Sequence, residues 1–230
     1  MYLSGREQIE FGLLRWPVDM KSIAIIAGGT PPQVVMKADY TIGVDQGALW
    51  LIHHGVKPDL AIGDFDSVTK REKSELRAAS KKILEYPPRK DATDLELAID
   101  EAIKLRPTVV VMYGVLGSRF DHSIAAIQML LRLESHNISG QIVDNFNKIS
   151  VVRRQITLMK DRRYRYVSII PIESNATVTL KGFVYDVIKK IFRTDSSLGI
   201  SNEINDDFAS ITVHSGKAVI IQSADIPVIG

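Results

Sequence analysis

The sequence predicts an α/β protein: a mostly parallel sheet with flanking helices, followed by a smaller C-terminal all-β sandwich domain. Three observations predict it. From Lys21 to about Asp144, short apolar runs alternate with amphipathic helical patterns. After about Asn145 the helical periodicity stops and β-like runs separated by turn residues take over. Acid-bearing loops recur where the early strands run out, and sheets of this kind bind ligands at the carboxyl ends of their strands.

Ile23-Ala24-Ile25-Ile26 reads as the first buried strand and ends at Gly28-Gly29. Tyr40 to Val44 is the second. Asp45 to His54 reads as a helix that stops at Gly55. Leu60 to Ile62 is the third strand. Ser67 or Thr69 can cap a charged helix over Lys70 to Lys81. Ile83-Leu84 is a brief strand before Pro87-Pro88, which force an extended exit. Thr93 or Asp94 can cap the next helix, where Leu95, Ile99, Ala102 and Ile103 recur at helical steps and Pro107 lies just past the end. Thr108 to Tyr113 is the clearest buried strand. A helix after Asp121 carries Ile124, Ile127, Leu130 and Leu131, and Ile142-Val143 is the last strand of this part.

The second part offers six runs: Ile149 to Val152, Tyr166 to Ile170, Thr177 to Leu180, Phe183 to Tyr185, Ser210 to Val213 and Ala218 to Ile221. The expected organisation is therefore an N-terminal extension over 1–19, an α/β domain over 20–145 and a β-sandwich over 146–230.

Composition narrows the function classes. The 230 residues suffice for a sizeable core, and 45% hydrophobic with 24% charged residues is ordinary for a globular chain. A formal net charge of +2 predicts neither nucleic acid nor an anionic membrane as partner. Arg162, Arg163 and Arg165 cluster with Tyr164 and Tyr166 and read as a solvated face. The absence of cysteine excludes disulfides, thiolate metal sites and cysteine nucleophiles, and fits a reducing cytoplasm. No apolar stretch approaches the roughly 20 residues of a membrane-spanning helix. The first residues, with Glu7, Glu10 and Asp19, lack the apolar centre of a signal peptide.

Chemistry concentrates in the loops. In Gly63-Asp64-Phe65-Asp66-Ser67, extended backbone points Asp64 and Asp66 the same way, toward one cation or simply toward water. In Lys90-Asp91-Ala92-Thr93-Asp94, Thr93 and Asp94 suit a helix cap, while a helix start with nearby acids also suits phosphate and Mg²⁺. Gly114 through His122 places Gly114, Gly117, Arg119, Asp121 and His122 between a strand and a helix. Arg119 can fork onto phosphate oxygens; Asp121 can bind metal or cap; His122 reads as a structural hydrogen-bonder. Gly43-Val44-Asp45-Gln46-Gly47 ends another strand. Trp50 reads as core.

Taken together, Gly28-Gly29, Asp45-Gln46-Gly47-Ala48, Pro58-Asp59 with Gly63 to Ser67, Lys90 to Asp94, and Gly114 to His122 resemble the thiamine pyrophosphokinase family. Gln46 stands where Asp-Gly-Gly is more usual. Leu180-Lys181-Gly182-Phe183 and Leu198 to Glu203 look like that family's substrate-side segments, so the resemblance runs from about Met20 to Gly230. It implies transfer of the β,γ-pyrophosphoryl group of ATP to the hydroxyl of thiamine, with release of AMP and dependence on Mg²⁺. It implies Asp64, Asp66 and Asp94 as metal-site acids, with Asp94 or Asp66 as the candidate acceptor of the hydroxyl proton. Gly28, Asp45, Gln46, Lys90, Asp91, Thr93, Gly114, Gly117, Arg119, Asp121 and His122 are the expected nucleotide-side residues. Ser201 and Asn202, which also read as an ordinary polar turn, are the expected thiamine contacts. The resemblance further implies a homodimer, with thiamine between the sheet domain of one subunit and the β-domain of the other.

Three other activities fit parts of the pattern. A pyrophosphokinase acting on a pterin alcohol would use the same acids. Asp64-Phe65-Asp66-Ser67-Val68 matches the Asp-x-Asp-x-Val of aspartyl-phosphate phosphohydrolases, with Asp64 as nucleophile, but no later lysine and paired-acid loop completes it. A nucleotide-binding sensor would need the fold and not the acids.

Overall fold

A computed structural model describes residues 11–15, 21–30, 35–89 and 91–227. The chain divides into two compact units, the first running to Met129 and the second from Leu130 onward.

The first unit contains β1 (Phe11–Arg15), β2 (Ser22–Ile26), β3 (Val35–Lys37), β4 (Tyr40–Val44), α1 (Gln46–His53), β5 (Leu60–Gly63), α2 (Lys70–Ala79), β6 (Ile83–Glu85), α3 (Asp94–Lys104) and β7 (Val109–Tyr113). A further helix, α4 (Phe120–Ser135), carries the chain into the second unit. The sheet order is β7-β2-β4-β5-β6, every pair parallel. Every residue of β2 and β7 is buried, which is why both read as unbroken apolar runs rather than alternating ones. Helices cover the sheet. Ala48 and Leu49 of α1 and Leu76 of α2 form one core with Ala61, Phe65 and Val68, while α3 packs on β4 and β5. The Thr69 hydroxyl and the Glu72 side chain form a reciprocal capping box at the start of α2.

Two aspartates fasten the amino-terminal ends of neighbouring strands. Asp39 Oδ2 accepts from the Ser22 N–H and hydroxyl, both at 2.8 Å. Asp59 Oδ2 accepts from the Thr41 N–H at 2.8 Å, and Lys81 Nζ donates to Asp59 Oδ1 at 2.6 Å. Asp59, part of the Pro58-Asp59 motif, thus sits at the other end of β5 from Asp64 and serves the sheet.

Phe11–Arg15 lies in the stretch read as an extension, yet it forms a strand parallel to Val35–Lys37. The sequence does not predict either strand, because at five and three residues each is too short to show a clear period.

The second unit contains β8 (Ser139–Val143), β9 (Asn147–Val152), β10 (Gln155–Met159), β11 (Tyr166–Lys181), β12 (Val187–Phe192), β13 (Asn202–Glu203) and β14 (Phe208–Ser223). Among its own strands the pairings are antiparallel, in the order β8-β9-β14-β11-β12, with β10 on β14 and β13 on β11. The protein is therefore a mixed β architecture with flanking helices. Val167, Ile169, Val178 and Leu180 of β11 and Ile211, Val213 and Ile220 of β14 share one core.

Four expected strands fuse into two. Tyr166 to Ile170 and Thr177 to Leu180 are halves of β11, and Ser210 to Val213 and Ala218 to Ile221 are halves of β14. The polar residues between the halves mark an irregularity in register, with Glu173 at φ 71° and Gly216 at φ 76°, and not a turn. Phe183 to Tyr185 makes only an isolated bridge, Phe183 to Ile204. Among the described residues no helix is long and apolar enough to cross a membrane.

Candidate active site

The carboxyl ends of β2, β4, β5 and β7 open into one crevice of about 930 Å³. Its lining joins segments far apart in sequence. Ala27 to Thr30 follow β2, and Asp45 and Gln46 follow β4. Asp64 and Ser67 follow β5, Pro88 and Ala92 to Leu95 lead into α3, and Gly114 to Arg119 with His122 follow β7. This is where an open parallel sheet places ligands.

Close backbone approach builds the crevice wall. The Gly29 N–H donates to the Gly114 carbonyl at 2.8 Å, and a Cβ on Gly29 would meet that oxygen at 2.4 Å. Gly114 itself has φ +64°. On the other side, Asp45 adopts φ 47°, its N–H donates to the Ile62 carbonyl at 3.0 Å, and its carboxylate lies directly over Gly63. Phe65, at φ 50°, is buried in the core with Ala48 and Leu76. The turn between Asp64 and Asp66 is thus anchored from below, and Asp64 Oδ1 accepts from the Asp66 N–H at 3.1 Å.

The crevice brings together Gly28, Asp45, Gln46, Asp64, Thr93, Asp94, Gly114, Gly117, Arg119 and His122. Thr93 caps α3, its hydroxyl accepting from the Glu96 N–H at 3.2 Å, and so presents Asp94 at a helix start. Asp66, Asp91 and Asp121 are exposed beside the crevice and are not among its lining residues. Lys90 lies outside the described residues. Thr30, Pro88 and Leu116, to which the sequence motifs assign no site role, also line it.

Arg119 does not stand alone. Its guanidinium donates to both carboxylate oxygens of Asp121, at 3.3 and 2.5 Å. The pair raises the Arg119 pKa and holds the Asp121 carboxyl below the ordinary aspartate value, chiefly through this hydrogen bond. A phosphate reaching Arg119 must share it with Asp121 or displace it.

Among the described residues, no three His, Cys, Asp or Glu side chains gather closely enough to enclose a metal ion. That geometry still suits Mg²⁺, which needs only one or two carboxylates when substrate phosphates and water complete its shell. Asp64 and Asp94 are two such oxygen donors on one crevice.

Ser201 and Asn202 lie in the second unit. Ser201 is exposed, at φ 56°, and its N–H donates to Ser168 Oγ at 3.0 Å. Asn202 is only 6% exposed. Its Oδ1 accepts from the N–H groups of Tyr185 and Glu203, and its Nδ2 donates to the Tyr185 carbonyl at 2.9 Å. Asn202 therefore ties down the loop before β12.

Two family models match. The one described as "Thiamin pyrophosphokinase, catalytic domain" covers residues 31–142, and "Thiamin pyrophosphokinase, vitamin B1 binding domain" covers residues 153–219. A curated Bacillus subtilis protein named thiamine pyrophosphokinase is 34% identical over 214 residues, covering 90% of this chain and all of the relative. This chain belongs to the thiamin pyrophosphokinase family. Solved structures agree with that membership. The thiamine pyrophosphokinase of Bacillus subtilis superposes with a TM-score of 0.82 at 32% identity, and that of Geobacillus thermodenitrificans with 0.77 at 30%, each covering 90% of this chain and 100% of the other. The catalytic-domain match holds every described residue lining the crevice from Val44 to Ala125, and the vitamin B1 match holds Ser201 and Asn202. Neither a pterin-specific enzyme nor a phosphohydrolase finds support in these relatives.

Proposed function

We propose that the protein transfers the pyrophosphoryl group of ATP to the hydroxyl of thiamine, giving thiamine diphosphate and AMP. The observation that carries this reading is the single crevice joining Asp64, Asp94 and Arg119 with the Gly28-Gly29 and Gly114 backbone in a member of this family.

The thiamine oxygen attacks the β-phosphorus of ATP, and the bond from that phosphorus to the α,β-bridging oxygen breaks, so AMP leaves with the bridging oxygen. Asp94 or Asp66 accepts the hydroxyl proton. The glycine wall lets the triphosphate lie against backbone, and Arg119 fixes its orientation, so positioning supplies much of the rate. Asp64 and Asp94 would hold Mg²⁺, with the exposed Asp66 beside the crevice joining through one of the waters of its shell, and the ion when bound would neutralise charge on the transferring phosphates. Asp45, Gln46, Lys90, Asp91, Thr93, Gly117, Asp121 and His122 belong to the nucleotide side of this reading.

The same reading assigns residues 20–145 to nucleotide and Mg²⁺ binding, with 1–19 as an extension. It assigns 146–230 to a β-sandwich serving thiamine binding and dimerisation. The antiparallel strands β9 to β14 around one core support the sandwich. The exposed Tyr185, Ile188 and Ile191 support a homodimer through this part. Ser201 offers its hydroxyl to thiamine and Asn202 holds the loop. The cytoplasm, where ATP and Mg²⁺ are supplied, is the proposed setting.

The test is product analysis with ATP, Mg²⁺ and a panel of alcohols. AMP and thiamine diphosphate in equal amounts support the proposal. Orthophosphate released without any acceptor points to a hydrolase and overturns it, as does preference for a pterin alcohol.

A further inference from the structure

The crevice does not end at its glycine wall. A second hollow of about 240 Å³ adjoins it, and the two share Ala27, Gly28, Gly29 and Gln46. The rest of the smaller hollow has a different character. Leu49, Trp50, His53 and Glu72 line it, and it contains none of the crevice's aspartates and no arginine.

Trp50 is the informative residue. Helical spacing within α1 places it in the core, yet it is only half-buried and faces this hollow. Its ring is held in place. His54 stacks on it with centroids 4.2 Å apart and planes at 27°, and the His54 Nδ1 lies 2.7 Å from the Trp50 carbonyl oxygen. The Glu72 carboxylate is equally fixed, since the Thr69 N–H and hydroxyl both donate to its Oε2 at 2.7 Å. Gln46, on the shared wall, donates to Ser67 Oγ at 3.2 Å. A flat aromatic surface that is already immobilised binds another flat ring at little entropic cost.

The two hollows thus divide their chemistry as a nucleotide does. One end offers glycine backbone, an arginine and carboxylates for a metal-bound phosphate tail. The other offers an indole, a leucine and a fixed hydrogen-bond acceptor for a flat heterocycle. Building on the proposed ATP-dependent reaction, we infer that the smaller hollow receives the purine base of ATP, stacked against Trp50, with Gly28, Gly29 and Gln46 spanned by the sugar and first phosphate. Trp50 is then a determinant of nucleotide affinity and has no part in the transfer step.

The test uses the full chain with Trp50→Leu and Trp50→Phe, read by equilibrium binding of AMP, binding of inorganic tripolyphosphate with Mg²⁺, and KM for each substrate. The expected result for Trp50→Leu is an AMP Kd and an ATP KM raised by about tenfold, the loss of one aromatic stack. Tripolyphosphate has no base, so its affinity should stay within about twofold, as should the thiamine KM. Trp50→Phe should follow the same pattern with a smaller effect, and it carries the test if the leucine variant does not fold. In a Trp16→Phe background, where Trp50 is the one remaining tryptophan, AMP should quench the fluorescence and tripolyphosphate should not. Equal weakening of AMP and tripolyphosphate, an unchanged ATP KM, or a rise in thiamine KM alone would overturn the inference; the last would put a thiamine ring in the hollow. Because AMP binding is read without turnover, failure here is distinct from failure of the proposed reaction, which shows as no AMP formed from ATP by the unaltered protein.

Discussion

The Asp45 carboxylate lies so close over Gly63 that a Cβ at Gly63 would stand 1.8 Å from Asp45 Oδ1. Two strand ends, β4 and β5, therefore meet with no room for a side chain between them, and the next residue, Asp64, is aimed by that contact. Gly63→Ala should displace either Asp45 or the Asp64 loop. The expected outcome is a stability loss of about 1–3 kcal/mol, as for other overpacked sites, seen as a lower thermal midpoint. AMP formation should fall by at least about a hundredfold, as expected when catalytic groups are misplaced by an ångström.

Asp64 and Asp94 line the crevice from different elements, so each should be separately required. Asp64→Asn and Asp94→Asn should each lower kcat by about 10² or more with circular dichroism and the thermal midpoint preserved. Rising Mg²⁺ should recover part of the lost rate. Turnover near that of the unaltered protein in both variants refutes the assignment of these two acids.

Arg119 and Asp121 should behave as one unit. Arg119→Ala is expected to raise the ATP KM by about tenfold, the worth of a charge-assisted pair with phosphate. Asp121 acts through the arginine, so the double variant should be no worse than Arg119→Ala alone. Additive losses in this double-mutant cycle would mean that Asp121 touches the ligand itself.

Asp39 makes the stability of the sheet pH-dependent. Its carboxyl is held below the ordinary aspartate value, first by the Ser22 N–H and then by the Ser22 hydroxyl. A depressed folded pKa means that the contribution is complete above the unfolded value of about 4 and is lost as pH falls through the lower folded value. Asp39→Asn should therefore cost about 1 kcal/mol or less at pH 7, the figure being discounted because the side chain is exposed to solvent. The gap between the two proteins should shrink below about pH 4, where the unaltered protein also loses the charge. Denaturation curves at several pH values measure this, and a gap that widens in acid contradicts it.

Ser201 and Asn202 should separate into a contact and a support. Asn202→Ala strands buried backbone partners and should lower stability by about 1–3 kcal/mol. Ser201→Ala should leave the thermal midpoint unchanged while raising the thiamine KM. If both substitutions act only on stability, the pair has no role at the substrate.

Much of the first unit is legible in the sequence because its signals are local. Unbroken apolar runs mark β2 and β7, Thr69 and Thr93 mark helix starts, and Gly55, at φ +77°, marks the end of α1. The second unit is less legible. Its long strands β11 and β14 bend at irregular, polar positions that look like turns when neighbours are not known, and β12 exposes most of its residues.

By itself the sequence determined the alternation of strands and helices, the acid-bearing loops at the strand ends and, through their order, the family. Only the tertiary structure decided which acids share a crevice: Asp64 and Asp94 do, Asp66 stands beside it, and Asp59 serves the far end of the sheet. It also decided that Trp50 faces a hollow and that Asn202 is occupied within its own unit. The reason is physical. Helix and strand periodicities and caps act over a few residues, whereas a crevice forms where backbones distant in sequence approach, as Gly29 meets Gly114 and Asp45 meets Gly63.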